Sequence, residues 1–112
     1  MRSRIAPRKT LRTRVVFEDE LQEEFLYFIS NDISASGLFI ETELPFRAGT
    51  RVLLKFSLYI EDEPIRTAAE VTRQITKKRG PGRHKAVTPG VGLKFLGLSQ
   101  QDYQKIEQFI KS

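Results

Sequence analysis

The segment Arg51–Ile60 constrains the fold more than any other part of the chain. Val52, Leu54, Phe56 and Leu58 alternate with Arg51, Leu53, Lys55 and Ser57. Side chains two residues apart share one face of a strand, so this pattern predicts a half-buried β-strand. Other segments repeat it. Leu11, Thr13, Val15 and Phe17 fall on one face of a strand that starts at Thr10, with Arg12 and Arg14 on the other. Glu24–Ser30 is an aromatic-rich strand, and Leu38–Thr42 is a short apolar one. Ile65–Ile75 alternates with Ala69 and Val71 inward and with Arg66, Glu70 and Thr72 outward. Val91, Leu93 and Phe95 form the last strand.

Turn signals separate these segments. Glu18-Asp19-Glu20, Leu44–Gly49 and Glu61–Pro64 each break an alternation. Lys77–Gly90 carries Gly80, Pro81, Gly82, Pro89 and Gly90, which predicts a long loop. The C-terminal segment changes period. Ser99 is placed to cap a helix, Asp102 stands three residues on, and Leu98 precedes the cap as a hydrophobic staple toward Tyr103. Tyr103, Ile106, Phe109 and Ile110 then form one apolar face over a helix of about 99–111. Six short strands and one helix in 112 residues leave few strands for two full sheets. The expected fold is therefore all-β, a six-stranded antiparallel β-barrel with a C-terminal α-helix. Residues 1–9 form an arginine-rich flexible arm, and residues 10–112 form one barrel domain.

Several function classes are disfavoured by composition. The chain has no cysteine and a single histidine, so a structural zinc site lacks its usual ligands. His84 sits in the Gly/Pro-rich loop, and no Ser/His/acid set assembles around it. No phosphate-binding glycine loop with its lysine is present, and paired acids such as Glu23-Glu24 flank a turn. The chain reads as a non-enzyme. It holds no apolar run near the length of a membrane span and no apolar signal region, so a cytoplasmic location is expected.

Charge is unevenly distributed. The net charge is +5, but residues 1–14 hold Arg2, Arg4, Arg8, Lys9, Arg12 and Arg14 with no acid. A second basic cluster runs from Lys77 to Lys85. Two separated basic clusters point to an anionic partner or to solvated ends and loops.

Asn31–Thr42 is the stretch that a plain hairpin does not require. Asp32, Ser34 and Gly37 stand in an Asp-x-Ser-x-x-Gly spacing at a polar turn. Taken singly, Asp32 makes an ordinary Asx-turn and Gly37 supplies a positive φ. The arm provides the complement. Arg4 and Arg8 form an Arg-x-x-x-Arg spacing, and Arg8 and Arg12 repeat it. Guanidinium forks suit phosphates bidentately and pair with the O6/N7 edge of guanine. A carboxylate accepts from the guanine N1–H and amino group. Two arginines with an Asp/Ser pair thus make a sensible pocket for a guanine nucleotide.

Asp32-x-Ser34-x-x-Gly37 preceded by Arg-x-x-x-Arg resembles the PilZ domain family, receptors for the bacterial second messenger cyclic di-GMP. The resemblance extends over nearly the whole chain, through Pro89-Gly90-Val91-Gly92-Leu93-Lys94-Phe95 and the closing helix. It implies a six-stranded barrel with a C-terminal helix. It also implies that Arg4 and Arg8 clamp guanine and phosphate, that Asp32 and Ser34 hold the guanine edge, and that Gly37 lets backbone approach the ligand. Lys9 and Arg12 are secondary candidates. The Arg4/Arg8 register is preferred because Pro7 precedes Arg8 and the strand from Thr10 to Phe17 stays uninterrupted. Ser3, before the motif, is small enough not to block a stacked pair of ligands. No metal or other cofactor is expected.

The implied mechanism is ordering of the arm by ligand, which creates a surface for a downstream protein partner. Two alternatives compete with it. One is a PilZ-like interaction module without ligand binding. The other is a small basic barrel for single-stranded nucleic acid, with Tyr27, Phe39 or Tyr59 as stacking platform. The aromatics mostly follow core-like alternation, which disfavours the second.

Overall fold

Alternation becomes sheet along most of the chain. The computed structural model describes residues 7–79 and 86–112. Among these, seven strands and one helix form: β1 (Arg8–Thr10), β2 (Arg14–Glu18), β3 (Glu24–Ser34), β4 (Gly37–Glu41), β5 (Arg51–Phe56), β6 (Ile65–Arg79), β7 (Ala86–Leu96) and α1 (Gln100–Lys111). Every pairing is antiparallel. The order runs β3-β2-β5-β6-β7-β4, and β4 pairs back onto β3. That closes a six-stranded barrel, as the spacing of turns predicts. β1 is the one strand beyond the six. It pairs with β3 residues 32–34, which β4 also borders, so β1 and β2 lie in tandem along the opposite edge of β3.

The inward residues form the core. Val15, Phe17, Ile33, Leu38, Ile40, Leu54, Phe56, Ala69, Val71, Val91 and Leu93 are all buried in one cluster. A set of aromatic rings gathers beside it. Phe17 meets Phe28 edge-on with centroids 5.1 Å apart, and Phe46 reaches both from the loop after β4. Ser99 caps α1 by accepting from the backbone N–H of Asp102, as expected. Ile106 and Phe109 join the barrel's apolar cluster, whereas Tyr103 stays partly exposed.

Four boundaries differ from the sequence reading. The strand expected over Thr10–Phe17 is broken at Leu11–Thr13. Ser30 explains the break: its buried hydroxyl donates to the Leu11 carbonyl and accepts from the Thr13 N–H. One serine thus satisfies backbone groups that a continuous ladder would have paired. As a result Arg8 and Lys9, placed in the arm by the sequence, lie in β1.

The expected polar turn after Ser30 is instead strand. β3 continues to Ser34, with a register shift between Ser30 and Asp32. Ile33 is completely buried and anchors this polar segment in the barrel. The segment expected as a loop from Lys77 to Gly90 is also largely strand, because β6 runs to Arg79 and β7 begins at Ala86. Gly90 reads as punctuation but serves packing. A Cβ there would lie 2.2 Å from the Ile40 carbonyl oxygen and 2.4 Å from the Phe39 ring. Gly80–Lys85, including His84, lies outside the described residues, as do Met1–Ala6. β5 ends at Phe56, short of Ile60, although Leu58 still turns inward.

The two faces of α1 give a direct check. Ile106→Ala should lower unfolding free energy by about 2–5 kcal/mol, the usual cost of emptying a buried aliphatic site. Tyr103→Ala should cost less than about 1 kcal/mol, as at other surface positions. Urea unfolding of both variants measures the difference.

Candidate functional site

The Asp-x-Ser spacing is strand spacing. Asp32 and Ser34 are two apart on β3, so both side chains leave one face. β1 lies beside them in a fixed register, with Arg8 opposite Ser34 and Thr10 opposite Asp32. Arg8 therefore meets both polar residues, one directly and one diagonally. Its Nε donates to Asp32 Oδ1 at 2.6 Å, and its Nη1 donates to Ser34 Oγ at 3.3 Å. The charged contact is only partly shielded, with the Arg8 side chain 37% exposed and that of Asp32 14%.

Ser34 organises the hairpin that follows. Its buried Oγ accepts from the Ser36 N–H at 3.2 Å and stands 3.0 Å from Ser36 Oγ. It also lies 3.4 Å from the Gly37 carbonyl. Such a serine turn mimics a backbone turn and closes β3 onto β4 over two residues. Asp32 lies within β3, beside Arg8. Gly37 has neither a positive φ nor an open approach on all sides. A Cβ there would fall 2.1 Å from the Leu93 carbonyl oxygen, so glycine is required where β4 crosses closest to β7.

A shallow concavity of about 290 Å³ opens beside this hairpin, lined among others by Arg8, Ser36, Gly37, Thr72, Gly92 and Lys94. Gly92 lacks the Cβ that would press on Thr72 Oγ1. Thr72 and Lys94 are lining residues that sequence reasoning missed. Alternation marks both as outward, but only the register that sets Lys94 opposite Gly37 brings Lys94 to the site.

The remaining candidates separate. Lys9 points away from Arg8 on the short strand and reaches the end of α1. Its Nζ donates to the Phe109 carbonyl at 3.1 Å and to the Ser112 carbonyl at 2.9 Å, and it sits 4.8 Å from the Phe109 ring centroid. A lysine at a helix C-terminus satisfies orphan carbonyls and the helix dipole. Arg12 Nη1 instead donates to Glu41 Oε2 at 2.8 Å, an oxygen that also accepts from Asn31 Nδ2. Neither joins the Arg8–Asp32–Ser34 cluster. Arg4 lies outside the described residues. Among the described residues no group of three or more His, Cys, Asp or Glu is placed to hold a metal ion. No described helix is long and apolar enough to cross a membrane.

The aromatics proposed for stacking also separate. Phe39 is buried, whereas Tyr27 and Tyr59 are about half exposed. Arg14 covers the Tyr27 ring with its guanidinium 5.0 Å from the centroid.

Comparison with known proteins adds a family. A model of the PilZ domain matches residues 3–112. Solved structures of similar fold include the PilZ domain with c-di-GMP of YcgR from Escherichia coli, at TM-score 0.72 and 16% identity, covering 99% of this chain and 90% of that one. The inhibitor of motility MotI/DgrA from Bacillus subtilis aligns at TM-score 0.73 and 24% identity, over 99% of this chain and 51% of that one. The K. pneumonia MrkH–c-di-GMP complex aligns at TM-score 0.71 and 18% identity, over 99% and 52%. The chain thus spans about half the length of MotI and MrkH. No curated protein gives a match.

The geometry separates residues that hold the fold from those that do not. Arg8→Ala and Asp32→Ala should each change unfolding free energy by no more than about 1 kcal/mol, as for a partly exposed ion pair. Gly37→Ala should cost about 3 kcal/mol, because its methyl group meets backbone rather than a movable side chain. Thermal and urea unfolding distinguish the two outcomes.

Proposed function

The chain belongs to the PilZ domain family, and on that premise we propose that it is a receptor for cyclic di-GMP. PilZ domains are c-di-GMP receptor domains and not enzymes. The finer reading concerns which residues act. The observation that carries it is Arg8, held across β1 and β3 by Asp32 and Ser34 at the rim of a concavity that Lys94 also lines.

Cyclic di-GMP presents two phosphodiesters and two guanine edges. The Arg8 guanidinium, oriented by Asp32, offers its remaining N–H groups to phosphate oxygen or to guanine O6/N7. Asp32 and the Ser36 hydroxyl accept from guanine N1–H and the amino group, and the buried Ser34 hydroxyl holds Arg8 and the hairpin in place. Lys94 adds a second positive charge. The concavity has room for one base or one phosphate group, so the rest of the dinucleotide lies against neighbouring surface. Arg4 supplies the second arm guanidinium. The engagement of Arg12 with Glu41 supports the Arg4/Arg8 register over Arg8/Arg12. Ligand charge offsets the repulsion among the arm arginines, and the surface made of arm and ligand signals to a protein partner. Ordering the arm consumes part of the binding free energy, which lowers affinity relative to the contacts made.

Calorimetric titration of the whole chain with cyclic di-GMP tests this reading. Saturable heat is expected in the range of tens of micromolar or below, roughly the level for a site that orders on binding. Arg8→Ala or Asp32→Ala should weaken binding about 30-fold or more, since each leaves a charged partner unmatched at about 2 kcal/mol or above. Absence of heat with the folded wild-type chain would overturn the assignment.

A further inference from the structure

A second concavity, of about 740 Å³, lies at the β2–β3 hairpin and shares no lining residue with the first. Its lining includes Glu18, Glu20, Leu21, Phe25 and Leu53. Leu21 is 82% exposed and Phe25 is 61% exposed, so two large apolar side chains stand in solvent beside it. Exposed apolar groups gathered in this way mark a contact surface.

Charge gives that surface a specific chemistry. Glu18 is 95% buried, and its Oε2 has no hydrogen-bond partner among the described residues. Arg66 approaches the other oxygen at 3.4 Å, and Lys55 stands 3.7 Å from Oε2 without hydrogen-bond geometry. Lys55 is also bound to Glu24, whose carboxyl it holds below the usual range. Two cations and two carboxylates therefore cancel. Arg51 faces Glu70 at 3.9 Å. Asp19, Glu20 and Glu23 remain, and none of them has a salt-bridge partner among the described residues. The tip of the hairpin is thus net acidic, although the chain as a whole is basic.

We infer that this concavity is a protein-docking site for a segment that combines basic and apolar side chains. An incoming arginine or lysine supplies the charge that Asp19, Glu20 and Glu23 attract. An apolar neighbour covers Leu21, Phe25 and Leu53. The same acids repel nucleic acid and anionic lipid, so the occupant is protein.

The probe is a fluorescein-labelled peptide of alternating arginine and leucine, titrated with the whole chain and followed by anisotropy. A glutamate–leucine peptide and an arginine–serine peptide are its controls. Only the arginine–leucine peptide should bind. Leu21→Ser and Phe25→Ser should each weaken it about tenfold, as expected for central apolar contacts. Glu18→Gln should weaken it about threefold or more through the lost charge. Leu21→Ser sits at an exposed turn, so it remains informative even where Glu18→Gln fails to fold. Cyclic di-GMP binding should be the same in Leu21→Ser as in the wild type, which separates this site from the nucleotide site. No binding, equal binding of either control, or indifference to Leu21→Ser overturns the inference. Self-association of the chain that Leu21→Ser abolishes in sedimentation also overturns it, in favour of a second copy.

Discussion

The pairing of β1 along β3 is the constraint on which the site depends. Three residues of β1 place Arg8 opposite Ser34, and that register alone brings a guanidinium to a carboxylate and a hydroxyl 24 and 26 residues away in the chain. The barrel makes the register unambiguous. Ile33 and Ser34 are buried, so a one-residue slip would expose Ile33 and turn Arg8 to the wrong face. Ser30 protects the arrangement from the other side. By stitching itself to Leu11 and Thr13, it ends β1 and starts β2, which lets both strands follow one edge of β3.

The same strand couples the site to the far end of the chain. Arg8 and Lys9 are adjacent, and Lys9 caps α1 while Arg8 faces the concavity. Two neighbouring cations thus have opposite surroundings, one at the rim of the concavity and one at the helix end. Charge count cannot separate them; the alternation of a strand can. The hairpin tip at Leu21 and Phe25 is a third surface, with acidic residues around it where Arg8 and Lys94 line the proposed nucleotide site.

Much of this was legible in the sequence. Period-two alternation marked Val52, Leu54 and Phe56, and likewise Val91, Leu93 and Phe95, as barrel interior, and Ser99 marked the helix start. Asp32, Ser34 and Gly37 were found by spacing. The strand hidden in Asn31–Ser34 was missed because three of its four residues are polar, and only Ile33 carries an apolar signal. The ends of β6 and β7 were missed because Pro89 and Gly90 look like loop residues. In fact Gly90 is needed where Ile40 and Phe39 come close. Lys9, a secondary candidate, caps α1 instead, and Lys94, not a candidate, lines the concavity, for a reason no local pattern contains: each is placed by a strand or helix distant in sequence.

The central proposal is that Arg8 and Asp32, held in place by Ser34, form the nucleotide contact surface. Titrating the ¹⁵N-labelled chain with cyclic di-GMP and following backbone amide shifts tests it most directly. The account predicts that the largest shifts fall on Arg8, on Asp32 through Gly37, and on Gly92 to Lys94. Saturable shifts centred elsewhere, with those amides unmoved, would contradict it.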